Sequence, residues 1–216
     1  MSVKGERGQP TTLLIACGAL AKEIVEIIRA NAWEHVRIQC LPAELHNRPE
    51  RIPDAVRSKI RDARGNFDRI FVAYADCGTG GLLDAVLKEE KVERLPGAHC
   101  YEFFAGGGAF AKLHEAEPGT FYLTDFLTRH FDRLVIEALG IDRHPELASE
   151  YFGNYRRLVY LAQSPDPKLE AQARAAADTL GLAFELRRTG YGELEDSLVE
   201  FANRQIEVAA PTARES

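Results

Sequence analysis

No apolar stretch in this 216-residue chain approaches the roughly 18 to 20 residues needed to span a bilayer, so no membrane-crossing helix is expected. Positive charge is also in deficit. The 27 Lys and Arg face 33 Asp and Glu, for a formal net charge of -6, which supplies no global basic field for nucleic acid. The first ten residues, MSVKGERGQP, carry charge and glycine but lead into no apolar core of signal-peptide type, because Leu13 to Ala16 is too short. A cytoplasmic protein is therefore expected, with no membrane and no nucleic-acid partner. In that reducing compartment its four cysteines should be free or metal-bound rather than disulfide-paired.

Several chemical signatures are missing as well. No Cys-x2-Cys pair exists, which argues against zinc ribbons and fingers. No lysine follows the glycines of 78–81 at Walker spacing, and no Gly-x-Gly-x-x-Gly follows the first apolar run, so neither a P-loop nor a hydride-cofactor fingerprint is present. A Gly-x-Ser-x-Gly nucleophile elbow is absent too.

What is present reads as a globular α/β chain, 45% hydrophobic and 28% charged, long enough to bury a full core. The run Thr12–Cys17 is a strand, followed directly by a helix with Leu20, Ile24, Ile27 and Ile28 on one face. Val36, Ile38 and Cys40 alternate with Arg37 and Gln39 as a half-buried strand closed by Pro42. Pro49 and Pro53 introduce a helix that Gly65 stops. A third strand over 69–75 ends in Asp76-Cys77-Gly78-Thr79-Gly80-Gly81, and Leu82–Glu90 is the next helix. The fourth apolar run is weaker: 92–95, then Pro-Gly, then an extended 99–104, with 106–108 a hinge or a helix start.

Further on, 121–123 is a short strand, and Thr124 or Asp125 caps a helix expected to run to about Leu139. Leu158–Ala162 is a buried strand, the helix after Asp166 ends at Gly181, 183–187 is a strand, and Leu194, Leu198 and Phe201 mark a last helix. The expected fold is a layered α/β structure with a mostly parallel sheet and helices on both faces. It is read as one domain over 11–206, with two related α/β halves and a subdivision near 141–155 as the variant. Disordered tails are expected at 1–10 and 207–216.

Candidate chemistry lies at the ends of apolar runs, because the strand carboxyl ends of an open parallel sheet form its ligand crevice. Cys17, Cys40, Cys77 and Cys100 all fall at or near such ends. Cys17 sits at a strand-to-helix turn, where helix amides are expected to lower its pKa. Cys77 lies among glycines that let backbone amides approach a ligand, making Gly18, Gly78 and Thr79 candidate cofactor contacts. Cys100 gains weight from the other two, and its neighbour His99 can share a site with it only if the backbone turns between them. His46, in the loop after the second strand, is the candidate fourth donor of a Cys3His set. Cys40 continues the apolar face of Val36 and Ile38 and is expected to be core. Glu23 is expected to be a solvated helix residue, and Arg187, Arg188 and Tyr191 surface groups.

Five segments, in order, resemble domain-of-unknown-function family 1638: Ala16-Cys17-Gly18-Ala19-Leu20 with Glu23-Ile24, Leu45-His46 with Pro49-Glu50, Tyr74-Ala75-Asp76-Cys77-Gly78, His99-Cys100, and Gly119 to Thr124. The resemblance implies that Cys17, Cys77 and Cys100 belong to the family pattern with His46 beside them, and that Cys40 does not. It also implies a companion role in corrinoid-dependent methyl transfer. The expected cofactor is zinc, with an iron-sulfur cluster as the alternative. The expected function is a metal-binding protein of one-carbon metabolism that activates a thiol or methyl acceptor. The alternative is a non-catalytic module that binds a small-molecule ligand or docks on a corrinoid methyltransferase component.

Overall fold

The computed structural model describes residues 11–209. The expected tails fall outside that range, except that residues up to Ala209 continue the last helix. The first half comprises β1 (Thr12–Cys17), α1 (Ala21–Ala30), β2 (Val36–Leu41), α2 (Ile52–Ala63), β3 (Arg69–Ala73), α3 (Leu82–Glu90) and the short β4 (Glu93–Arg94). Its four strands form one all-parallel sheet in the order β2-β1-β3-β4. α4 (Cys100–Ala105) and α5 (Gly107–Ala116) lead into the second half, with β5 (Thr120–Thr124), α6 (Asp125–Arg129), α7 (Leu147–Phe152), β6 (Arg157–Ala162), α8 (Pro167–Leu180), β7 (Ala183–Arg188) and α9 (Glu193–Ala209). Here β5-β6-β7 make a second parallel sheet. The strands thus change sheet between Arg94 and Thr120.

Burial explains which runs became which strands. All six residues of β1 are buried, as a central parallel strand covered on both faces demands. β6 is also covered on both sides, and its side chains divide with period two. Val159 and Leu161 join the core of the first half, whereas Leu158, Tyr160 and Ala162 pack with Leu169, Ala173 and Ala176 of α8. The larger core is therefore common to both sheets: Leu13, Ile15 and Phe71 belong to one cluster with Tyr122, Leu198 and Phe201. α8 shows how local sequence sets helix limits. Asp166 accepts from the N–H groups of Lys168 and Leu169, Pro167 occupies the first turn, and Gly181 closes the helix at φ 68°.

Three expectations are corrected here. β2 is an edge strand, so its alternating face runs out of covering layer, and Cys40 is exposed rather than core. The segment after β4 is not extended throughout. Pro96 and Gly97 end the strand, His99 is the extended residue before a helix, and Cys100 opens α4, which supplies the backbone turn between them. The helix expected from Thr124 to Leu139 is broken: α6 stops at Arg129, and a π-helical stretch spans Asp132–Glu137, with Ile141 N–H donating to the carbonyl of Ile136. Of the stretch 106–108, Gly107 and Gly108 open α5.

Because Cys40 is exposed, Cys40→Ser should change unfolding free energy by no more than about 0.5 kcal/mol, as for a surface substitution. Chemical denaturation of both proteins measures this, and a loss above about 1 kcal/mol would contradict the edge placement.

Candidate functional site

The strand order reverses at β1: β2 lies on one side and β3 on the other, so the crossover out of β2 passes over to the far side of β1. Such a reversal opens a crevice at the carboxyl ends. Each strand of the first sheet contributes one candidate donor there. Cys17 is the last residue of β1, His46 follows β2, Cys77 follows β3, and Cys100 follows β4. Cys17 Sγ lies 3.6 Å from His46 Nδ1, and the three thiols stand close enough to perturb one another electrostatically. Cys77, His46 and Cys100 line a cavity of ≈ 420 Å³ whose opposite wall comes from the second half, including Phe121, Leu127 and Phe152.

Burial dominates the chemistry of these groups. It pushes the Cys17 thiol up to about 12, outweighing the Ala19 N–H that donates to its sulfur at 3.3 Å. The expected lowering at the helix start is thus overturned, because desolvation exceeds the help of one amide. Cys77 is pushed up to about 11 by burial, against the amides of Ala75 and Cys100, and Cys100 is raised well above its ordinary value by burial and then by Cys77 and Cys17. His46 moves the other way, since burial lowers it despite the Ala43 carbonyl 3.2 Å from Nδ1. Both polar contacts of that ring, to the Cys17 sulfur and to the Ala43 carbonyl, are made by Nδ1.

Cys77 adopts φ 51°, a left-handed conformation that costs a residue with a Cβ about 1 to 2 kcal/mol. Such strain concentrates at functional sites. Nearby, the Asp76 carboxylate accepts from the Thr79 hydroxyl and from the N–H groups of Gly80 and Gly81. Thr79 is 4% exposed and also accepts from Leu83 N–H. It thus fastens the loop, whereas Gly78 lines the cavity. Gly18 serves close packing: a Cβ there would meet the Leu41 carbonyl at 3.0 Å.

The sequence reading overlooked two groups. Tyr74, one residue past β3, is 1% exposed, burial raises its pKa, and its hydroxyl and the Cys17 thiol shift one another. Its motif position was visible, but nothing local marks a tyrosine as buried beside a thiol. Asp125 is the other: at 1% exposure its carboxylate accepts from the Tyr160 hydroxyl at 2.7 Å, from the N–H of Gln163 and of Ser164, and from the Ser164 hydroxyl. Those bonds fix α6 to the end of β6, and Thr124 supplies the helix cap by accepting from Leu127 N–H. Glu23 is likewise buried rather than solvated. Burial raises its pKa, Asp125 adds to the effect, and one carboxyl oxygen has no partner. Arg187 and Arg188 pair with Glu185 and Glu170, and the Tyr191 hydroxyl donates to Glu26.

Among the described residues, no group of three or more His, Cys, Asp or Glu stands so that it could hold a metal ion. The donor types nevertheless suit a soft divalent metal: three thiols and a neutral imidazole at one crevice, the thiols too desolvated to ionise without a cation beside them.

Fold and crevice together define a class: a two-sheet parallel α/β protein with a thiol-and-histidine crevice at its strand-order reversal. The chain belongs to the family described as protein of unknown function (DUF1638), whose pattern matches residues 40–198. No curated protein and no solved structure matches it. No helix among the described residues is long and apolar enough to cross a membrane.

Raised thiol pKa values carry a stability consequence. A group with a folded pKa above its unfolded value stabilises fully below the unfolded value and loses that contribution as pH rises toward the folded one. Metal-free protein should therefore lose stability from about pH 9 toward 11 and 12, the window set by Cys77 and Cys17. Denaturant melts across pH 8 to 11 test this, and the slope should flatten in Cys17→Ala; an unchanged slope would contradict the buried thiol.

Proposed function

We propose that this is a metal-binding protein in which Cys17, Cys77 and Cys100, with His46 as fourth donor, hold zinc at the floor of the inter-sheet cavity. The carrying observation is topological: four strands of one sheet each deliver one soft or borderline donor to the same crevice. Bound zinc would supply Lewis acidity and, where a thiol or water takes the fourth position in place of His46, would lower the pKa of that ligand. The chain's own residues do the rest. The apolar second-half wall lowers the polarity around the site, the Ala43 carbonyl orients the His46 ring, and the left-handed Cys77 presents its thiol from a tight turn before Gly78. Family resemblance supplies the setting, corrinoid-linked one-carbon transfer, and hence the reaction class: activation of a thiol or methyl acceptor. An iron-sulfur cluster on the three cysteines is the alternative occupant.

A second reading is favoured by one observation, that the donors form no ligand set as they stand. On that reading the protein is a binding module, and the thiols line a cavity for a cofactor or small molecule without holding a metal.

Metal analysis and a visible spectrum of anaerobically purified full-length protein separate the readings. Wild type should carry about one equivalent of zinc, and Cys77→Ser should lose most of it while keeping its circular dichroism, since a core of this size does not depend on one clip. A brown chromophore would assign the cluster instead. Equal metal content in wild type and Cys77→Ser, or none in either, would leave the binding module.

A further inference from the structure

We propose that the inter-sheet cavity takes a small, uncharged molecule with an apolar body and one polar end. The inference rests on reading this cavity as the ligand site, and it names the class of ligand. Its volume of ≈ 420 Å³ lies toward the small end of the range for organic ligands, about 300 to 1,000 Å³.

The lining is divided by chemistry. Phe121, Phe126, Leu127, Leu134, Leu139 and Phe152, all from the second half, make an apolar wall. Cys77, Cys100, His46, Asn47 and His99 lie on the opposite side, and Thr124 is the polar residue of the second-half wall. The π-helical stretch matters here, because it carries Leu134 and Val135 in that wall.

None of the lining residues is Asp, Glu, Lys or Arg, in a chain that is 28% charged. The same protein builds a different cavity at the carboxyl ends of β6 and β7, where Lys112, Arg187, Arg188, Glu193 and Asp196 contribute to the lining. A carboxylate, phosphate or ammonium group entering the inter-sheet cavity would shed water and meet no Asp, Glu, Lys or Arg of opposite charge, which costs far more than seating a neutral group that can hydrogen-bond. The apolar wall rewards a hydrocarbon or aromatic body, and the opposite side offers partners for a single hydroxyl, thiol or carbonyl.

Three probes of one size test this on the full chain by calorimetric titration: benzyl alcohol, benzoate and benzylamine, which share a ring and differ in charge. Benzyl alcohol should bind at least tenfold more tightly than either ion. Leu134→Trp and, separately, Leu139→Trp, both at half-buried positions of the wall, should abolish that binding while the protein stays folded by circular dichroism. Asn47→Lys, at an exposed lining position, should confer binding of benzoate. Tightest binding by an ion, binding of benzyl alcohol undiminished in both tryptophan variants, or no binding of any probe would overturn the proposal. Metal content measured on the same samples keeps the two readings apart. Preference for an ion with zinc retained refutes only the ligand class, and neutral binding without metal refutes only the zinc site.

Discussion

The placement of β1 between β2 and β3 is the constraint on which the rest of this structure depends. With β1 in the centre and every pair parallel, the four carboxyl ends of the first sheet lie side by side, and each loop leaving them begins at the same edge. Residues 17, 46, 77 and 100, far apart in the chain, are brought to one end of the sheet by that order. A sheet running in sequence order would have carried Cys17 to one edge of the molecule and Cys100 to the other. The reversal also leaves a gap between loops that diverge in opposite directions, and that gap is the crevice.

A crevice becomes a cavity only when something covers it, and the second half does so. Tyr122, Val159 and Leu161 enter the core of the first sheet, while α6 and the π-helical stretch lie against the thiols. Asp125 anchors this wall. A carboxylate buried to 1% is costly unless its lone pairs are used, and here two side-chain hydroxyls and two backbone amides use them, with Arg129 3.5 Å away.

Several unfavourable features lie near the carboxyl ends of the first sheet. Cys77 holds a left-handed backbone, and burial raises the pKa of Cys17, Cys77 and Cys100. The capped and glycine-terminated α8, by contrast, follows its local preferences closely. Ala32 and Lys91 also hold left-handed backbone, so such conflicts are not confined to the crevice, but at Cys77 one coincides with a thiol that lines the cavity.

Hydrophobic period and turn chemistry determined a great deal by themselves. Thr12–Cys17, Leu82–Glu90 and the helix ending at Leu180 are legible because a buried run, an amphipathic period, a cap or a glycine stop acts through neighbours in the chain. The candidacy of Cys17, Cys77 and Cys100 was legible for the same reason, as thiols at the ends of apolar runs. Tertiary structure decided the matters that depend on what lies across space. Cys40 and Cys17 lie near the carboxyl ends of neighbouring strands, yet one is exposed and the other buried, because β2 is an edge and β1 is not. The direction of the Cys17 pKa shift follows desolvation by distant residues, which no local motif encodes. Phe121, Leu127 and Phe152 read as ordinary core residues until the second sheet turns them toward the thiols, since apolar side chains carry no mark of which surface they will meet.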